Sequence, residues 1–291
     1  MTVTIREALA EASAAGTSAL DASLLLAEIL NMSRSSLIVA DSQPLTEASL
    51  AAFRALVKRR LDGECTAYIV GRKEFYGLDF LVNPAVLVPR PDTETLVEAA
   101  LEELRLVGQP LRVFDLCTGS GAVAIALKYT MPELEVWAAD ISAEALETAK
   151  ANAARLLPPD SIHFCHGDLF EAWGVGSEVT KQSELSFHLI VGNPPYVPTA
   201  EIAGLAPEVR REPILALDGG SDGLGVISRI IAESPQFLCS GGILLLEADP
   251  RQMERIAALL QQAGFTDIQT RRDLSGKERV IRGIKSLSLN N

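Results

Sequence analysis

Leu189-Ile190-Val191-Gly192-Asn193-Pro194-Pro195-Tyr196 sets a side-chain amide, two prolines and a phenol at the end of an apolar run. The run is apolar on successive residues and bounded by breakers, which reads as a strand buried on both faces of a parallel sheet. Pro194 and Pro195 stop it, because proline lacks the N–H that a ladder needs and has a fixed φ. Asn193 therefore stands stiffly at the carboxyl end of a strand, where open α/β sheets bind ligands. Its amide oxygen accepts hydrogen bonds, and Pro194 offers a backbone C=O with no N–H beside it. Two acceptors converge on one point, and Tyr196 can supply an aromatic wall. This set suits an –NH2 group on a planar amide or on a base. Taken alone, the tetrapeptide also fits a plain strand-to-loop turn.

A second set lies upstream. Gly119-Ser120-Gly121 follows the apolar run Leu111 to Leu116, and glycine lets a ligand approach the backbone because it has no Cβ. Asp140 comes about 20 residues later, the spacing at which an acidic side chain holds ribose hydroxyls. Asp168, one strand further, can accept from an adenine amino group. Together these residues read as an adenosine site. Gly119, Gly121 and Ala124 also fit G-x-G-x-x-A, so a nicotinamide dinucleotide stays open at this point. Each acid taken singly is an ordinary exposed carboxylate; three coordinated strand ends argue otherwise. His163, Cys165 and His166 are close in sequence, but a strand sends neighbours to opposite faces, and no metal site is expected.

The elements that must position these residues follow from periodicity. Residues from about 4 to 62 read as helical. Asp21 is expected to cap the helix Ala22 to Leu30, Ser33 a short one to Ala40, and Thr46 a longer one ended by Gly63. Tyr68-Ile69-Val70-Gly71 and then Glu74 to Val82 suggest a β-hairpin with its turn near Gly77. Pro84, Pro89 and Pro91 make a stiff connector. Asp92 or Thr93 is expected to cap the next helix, through Leu96, Val97, Leu101 and Leu104. From Leu111 onward strands and helices alternate, which implies a parallel sheet covered on both faces. Its strands run to Leu116, Ala139, Cys165, Gly192 and Glu247, and Phe265 to Thr270 pairs with Arg279 to Ile284 as a final hairpin. The expected division is 1–66 helical, 67–91 hairpin and connector, and 92–291 the α/β domain.

Composition narrows the class. The chain has 291 residues and a formal net charge of -12, without the general basic footprint of a nucleic-acid binder. Lys58, Arg59 and Arg60 are the one local basic run, read as a solvated helix face. No apolar stretch has membrane-spanning length, and Met1 to Ala10 lacks the basic start and apolar core of a signal peptide. Cys65, Cys117, Cys165 and Cys239 are scattered, as expected of reduced thiols in a cytoplasmic protein.

These residues resemble the class I S-adenosylmethionine-dependent methyltransferases, and more narrowly the protein-glutamine methyltransferases that modify peptide chain release factors. The resemblance rests on Ala67-Tyr68-Ile69-Val70-Gly71, Glu74-Phe75-Tyr76-Gly77-Leu78, Val88-Pro89-Arg90-Pro91-Asp92-Thr93-Glu94, Asp115-Leu116-Cys117-Thr118-Gly119-Ser120-Gly121 and Asn193-Pro194-Pro195-Tyr196, with Glu212-Pro213, Ala216-Leu217 and Asp222-Gly223-Leu224. It implies an α/β fold, a Rossmann-like class I methyltransferase sheet with a small helical amino-terminal domain for substrate recognition, joined by the β-hairpin. It implies a cytoplasmic enzyme that methylates the side-chain amide of the glutamine in the Gly-Gly-Gln loop of class 1 release factors, with no membrane and no direct nucleic-acid partner. S-adenosyl-L-methionine would lie against Cys117, Thr118, Gly119, Ser120, Gly121, Asp140, Asp168, Leu169 and Asn193, leaving as S-adenosyl-L-homocysteine. Asn193, Pro194 and Tyr196 would carry catalysis and, with Pro195, bind the glutamine.

The sequence departs from the family at Cys117, where glycine is frequent, at Cys65, where proline is common, at Ala248-Asp249, and at Leu169, which is aromatic in some relatives. The Asn-Pro-Pro-Tyr turn is shared with DNA adenine and some RNA guanine methyltransferases, so a nucleic-acid amino-methyltransferase is the first rival. It would want a basic cleft and aromatic platforms for a flipped base. A non-catalytic cofactor-binding module is the second, and retention of Asn193, Asp140 and both glycines argues against it.

Overall fold

The computed structural model describes residues 2–105, 111–173 and 186–286. The protein divides into two compact units, Met1–Arg72 with Leu205–Arg211, and Lys73–Gly204 with Glu212–Asn291.

The first unit is helical: α1 (Ile5–Ala14), α2 (Ala19–Leu30), α3 (Arg34–Val39), α4 (Glu47–Leu61) and α5 (Thr66–Val70). Hydroxyl caps start four of them. Thr4 and Glu7 form a reciprocal capping box, and Ser18, Ser33 and Thr46 each accept an N–H of the first turn. Ser18 replaces the expected Asp21 cap. Asp21 lies within the first turn of α2, where its carboxylate accepts from the Thr66 hydroxyl (2.7 Å) and Arg60 (3.1 Å). Ile5, Leu25, Leu26, Leu37, Phe53 and Val57 form the core. The basic run is paired: Arg59 meets Glu64, and Arg60 meets Asp21 and Glu208. Tyr68-Ile69-Val70 forms helix α5, where alternation suggested a strand. Ile69 and Val70 pack on the helical core, and that burial overrides their β preference.

In the second unit, β1 (Arg72–Phe75) and β2 (Leu78–Leu81) form the expected hairpin, turning at Tyr76 and Gly77 with φ of 52° and 74°. Both central residues are left-handed, as a two-residue hairpin turn requires. A 3-10 turn (Pro91–Thr93) enters α6 (Glu94–Arg105). Then follow β3 (Arg112–Leu116), α7 (Ala122–Thr130), β4 (Glu135–Asp140), α8 (Ala143–Leu156), β5 (Ile162–His166), β6 (Phe187–Gly192), α9 (Gly225–Glu233), β7 (Leu238–Glu247), α10 (Met253–Gln262), β8 (Phe265–Arg272) and β9 (Glu278–Lys285). Helix α9 and the short 3-10 turns before it were not anticipated from periodicity.

Strands β3 to β9 form one sheet in the order β5-β4-β3-β6-β7-β9-β8, parallel from β5 to β7 and antiparallel at β9 and β8. Alternate residues serve two cores: Val113, Leu189 and Val191 pack with α6 and α7, while Phe114, Phe187 and Ile190 pack with α9 and α10. The order reverses between β3 and β6, which opens a crevice at the carboxyl ends of those strands. Among the described residues no helix is long and apolar enough to cross a membrane.

One buried side chain ties the hairpin to that crevice. Asn152 of α8 is fully buried; its amide accepts from Leu81 N–H (2.7 Å) and donates to Leu81 C=O (3.0 Å) and Ser120 C=O (2.9 Å). Asn152→Ala strands these three backbone groups and is expected to lower stability by roughly 2–4 kcal/mol. Denaturant unfolding checks this, and an unchanged midpoint would show that the bridge contributes nothing.

Candidate active site

The loop after β3 is held from below. Asp115 is buried and accepts from the Thr118 hydroxyl (2.6 Å) and Ala124 N–H (3.2 Å). Burial pushes its carboxyl up to about 7 against the pull of those two bonds. Cys117 stands at φ 58°. That left-handed conformation costs a residue bearing a Cβ roughly 1–2 kcal/mol, a cost glycine would not meet. The two glycines differ in purpose. Gly119 has φ 55° and, among the described residues, nothing within 4 Å of where a Cβ would sit, so its backbone faces open space. At Gly121 a Cβ would stand 3.0 Å from Ile125 and 3.2 Å from Ala149, so this glycine lets α7 and α8 close together.

Asp140, at the end of β4, accepts Gly119 N–H (2.8 Å) on one oxygen and Ser142 N–H (2.9 Å) on the other. Burial raises its pKa, and these backbone donors oppose the rise. The Ile141 N–H adds a third backbone bond to this carboxylate, which stays an acceptor at the rim of the strand ends. A cavity of about 250 Å³ opens in front, walled by Cys117, Thr118, Gly119, Ser120, Asp140, Asp168, Leu169, Asn193 and Pro195. The wall forms without Gly121, Pro194 and Tyr196. The carboxyl ends of β3, β4, β5 and β6 thus meet at one place. Asp168 is ion-paired with Arg229 of α9 (3.0 Å), a partner that sequence reading missed. The same cavity is lined by the Asp140 carboxylate and by apolar Ile141 and Leu169, donor-accepting and apolar groups whose chemistry suits a nucleoside.

Asn193 leaves β6 with its Nδ2 donating to the Thr93 hydroxyl (3.2 Å). That bond uses one of the two Nδ2 hydrogens, and Oδ1 is the acceptor end of the amide. Tyr196 is largely buried, its hydroxyl 3.5 Å from Glu247, and burial raises its pKa. The turn is tied down by Gln252, whose Nε2 donates to the Tyr196 carbonyl (3.0 Å).

The stretch Val88 to Glu94 proves to be a brace. Val88 N–H donates to Glu212 (3.1 Å), and Arg90 is ion-paired with the same buried carboxylate. Asp92 pairs with Arg279 (3.1 Å), and Glu94 accepts Tyr76 N–H (3.0 Å). The expected capping by Asp92 or Thr93 is therefore not their role: Thr93 turns to Asn193 and Asp92 to Arg279. Local sequence could not separate the two, since a hydroxyl before a helix is what a cap also looks like. His163 stacks on Trp137, and His166 bonds the Ile141 carbonyl. Among the described residues no group of three His, Cys, Asp or Glu could hold a metal ion.

Residues 4–71 match the family described as PrmC N-terminal domain, and residues 92–206 match the methyltransferase small domain. A release factor glutamine methyltransferase of Burkholderia pseudomallei is 40% identical over 269 residues, covering 91% of each protein. One of Escherichia coli is 38% identical over 279 residues, covering 96% of each. Among solved structures, a 16S rRNA N2 methyltransferase of T. thermophilus, in complex with AdoMet and guanosine, has a TM-score of 0.51 at 21% identity, over 74% of this protein and 49% of that one. A methyltransferase from Pyrococcus furiosus has a TM-score of 0.50 at 16% identity, over 79% and 98%. Those two likenesses speak to the fold alone, whereas the likeness in sequence runs through both units, and by it the chain belongs to the release factor glutamine methyltransferases.

Proposed function

We propose that the protein methylates the side-chain amide nitrogen of the glutamine in the Gly-Gly-Gln motif of class 1 release factors, in the cytoplasm, with S-adenosyl-L-methionine as donor. The observation that carries this reading is the Asn193 amide, which stands at the cavity with its nitrogen committed to Thr93 and its oxygen left for a donor. When bound, the cofactor supplies a methyl group on a sulfonium. Asp140 would hold its ribose hydroxyls, Gly119 and the rest of the loop Cys117 to Ser120 its amino-acid part, and Asp168 and Leu169 its adenine.

The protein's own residues then have one task. A glutamine nitrogen is a poor nucleophile because its lone pair is delocalised into the C=O. Asn193 Oδ1 and the Pro194 carbonyl accept its two N–H groups. This fixes the nitrogen and favours positive charge developing on it. A nitrogen so held would meet the methyl with less orientational entropy to lose, and as the methyl leaves sulfur for nitrogen one of the two N–H protons would then pass to water. Tyr196, pinned from behind, and Pro195 bound the amide. The net charge of -12 disfavours the nucleic-acid alternative.

The helical unit serves as the docking module for the release factor. Its α3 leaves Ile38 and Val39 77% and 87% exposed, an adjacent apolar pair available to a protein partner. Ile38→Ser with Val39→Ser is expected to raise KM for the release factor roughly tenfold while cofactor affinity stays native. An unchanged KM would remove this pair from the docking surface.

Two substitutions separate the halves of the site. Asp140→Ala is expected to weaken S-adenosyl-L-methionine binding by about 1.5–3 kcal/mol in calorimetry, through loss of charge-assisted hydrogen bonds. Asn193→Ala is expected to bind cofactor normally but slow single-turnover transfer, an effect of roughly 1–3 kcal/mol before any loss of alignment. Native transfer by Asn193→Ala would show the turn to be structural only.

A further inference from the structure

Glu247, at the carboxyl end of β7, is a buried carboxylate that the amide-methylation reading does not use. It is 1% exposed, and its Oε2 has no hydrogen-bond partner among the described residues. The Thr93 hydroxyl hydrogen-bonds to this carboxylate, and the Tyr196 hydroxyl stands 3.5 Å from its Oε1. Thr93 is also the acceptor for Asn193 Nδ2. A single hydroxyl therefore sits between a buried acid and the amide of the Asn-Pro-Pro-Tyr turn.

We propose that Thr93 and Glu247 are positioning residues that decide which way round the Asn193 amide stands. The inference rests on the amide-methylation reading. An asparagine amide turned by 180° about its last bond exchanges oxygen and nitrogen with almost no change of shape, so only hydrogen bonding sets its direction. A threonine hydroxyl has one hydrogen. An ionised Glu247 can only accept, so that hydrogen goes to the carboxylate. What Thr93 then shows Asn193 is a lone pair, and Asn193 must answer with Nδ2–H. Its Oδ1 is left for the substrate amide. The donors run in one direction, from substrate to Asn193 to Thr93 to Glu247, and the row ends on a buried charge. Reversing the asparagine would set its NH2 against the substrate NH2, two donors with nothing to accept.

The direction of this row depends on the charge at its end. The groups facing Glu247 are Arg279, which favours the charge, Asp92, which opposes it, and the hydroxyls of Thr93 and Tyr196, which hydrogen-bond to it. Arg279 adjoins Val280, the residue of β9 in register with Glu247, and itself pairs with Asp92. Burial outweighs the favourable contacts and pushes the Glu247 carboxyl up to about 7. Once protonated, Glu247 becomes a donor. It can then supply a hydrogen to Thr93, whose own hydrogen is released toward Asn193 and is met by Oδ1. The asparagine turns over, and the acceptor for substrate is lost. Transfer should therefore fall as pH drops through the Glu247 titration and be full above it.

The test is single-turnover methyl transfer to a release factor at saturating S-adenosyl-L-methionine, across neutral pH, for the native enzyme, Thr93→Val, Thr93→Ser and Glu247→Gln. Calorimetric cofactor binding is measured for each. Thr93→Val keeps the shape and removes the hydroxyl; transfer is expected to fall roughly tenfold with cofactor affinity unchanged. Thr93→Ser restores the hydroxyl and most of the rate. Glu247→Gln keeps an acceptor but cannot titrate, so the acid limb of the native profile should disappear. Native rate in Thr93→Val, or an acid limb that persists in Glu247→Gln, overturns the inference. Should Thr93→Val fail to bind cofactor, the Glu247→Gln profile decides. Absence of transfer by the native enzyme would instead overturn the release-factor reading, and the inference with it.

Discussion

One hydrogen bond sets the terms for this active site: the Asn193 amide nitrogen donating to the Thr93 hydroxyl. It turns an ambiguous amide into one with a defined acceptor end. Most of the surrounding structure holds its two partners at that distance. Asn193 is fixed because β6 lies between β3 and β7 and two prolines follow it at once. Thr93 is fixed because the 3-10 turn Pro91–Thr93 cannot drift: Arg90 is tied to Glu212 on one side and Asp92 to Arg279 on the other.

The same economy appears around Asp140. Asp140 is held at the cavity wall by backbone N–H groups on both of its oxygens. The loop it grips is itself held by Asp115 through Thr118, and Asn152 takes up the Ser120 carbonyl at the back. Buried polar groups of this kind are costly unless satisfied, and satisfied they specify one arrangement. Gly119 is the point where this frame faces open space among the described residues, and Gly121 the point where it closes on its own helices.

Much of this was legible in the sequence because its signals are local. The buried strands, the glycine loop, Asp140 at its spacing and the prolines after Asn193 each follow from chemistry within a few residues, and the structure brings their strand ends together. What was illegible depends on partners far away in sequence. Thr93 carries the local mark of a helix cap, and nothing near it announces Asn193 a hundred residues away. Asp168 looked like a carboxylate awaiting a ligand, while its partner Arg229 lies on α9, a helix whose stop and start signals were too weak to find. Tyr68-Ile69-Val70 has the composition of a strand, and only packing against the helical core makes it α5. Asp21 and Ser18 both suit a cap, and the tie from Asp21 to Thr66 and Arg60 settles which one serves.

The central claim is that the amide-binding turn presents a protein glutamine, and not a nucleobase, to the methyl donor. The most direct measurement incubates the native enzyme and S-adenosyl-L-methionine with a class 1 release factor, with RNA and with DNA side by side, and locates the transferred methyl by mass spectrometry. The account predicts one methyl group on the side-chain nitrogen of the Gly-Gly-Gln glutamine, lost when that glutamine is replaced by alanine, and unmodified RNA and DNA. A methylated base with an unmodified release factor would contradict it.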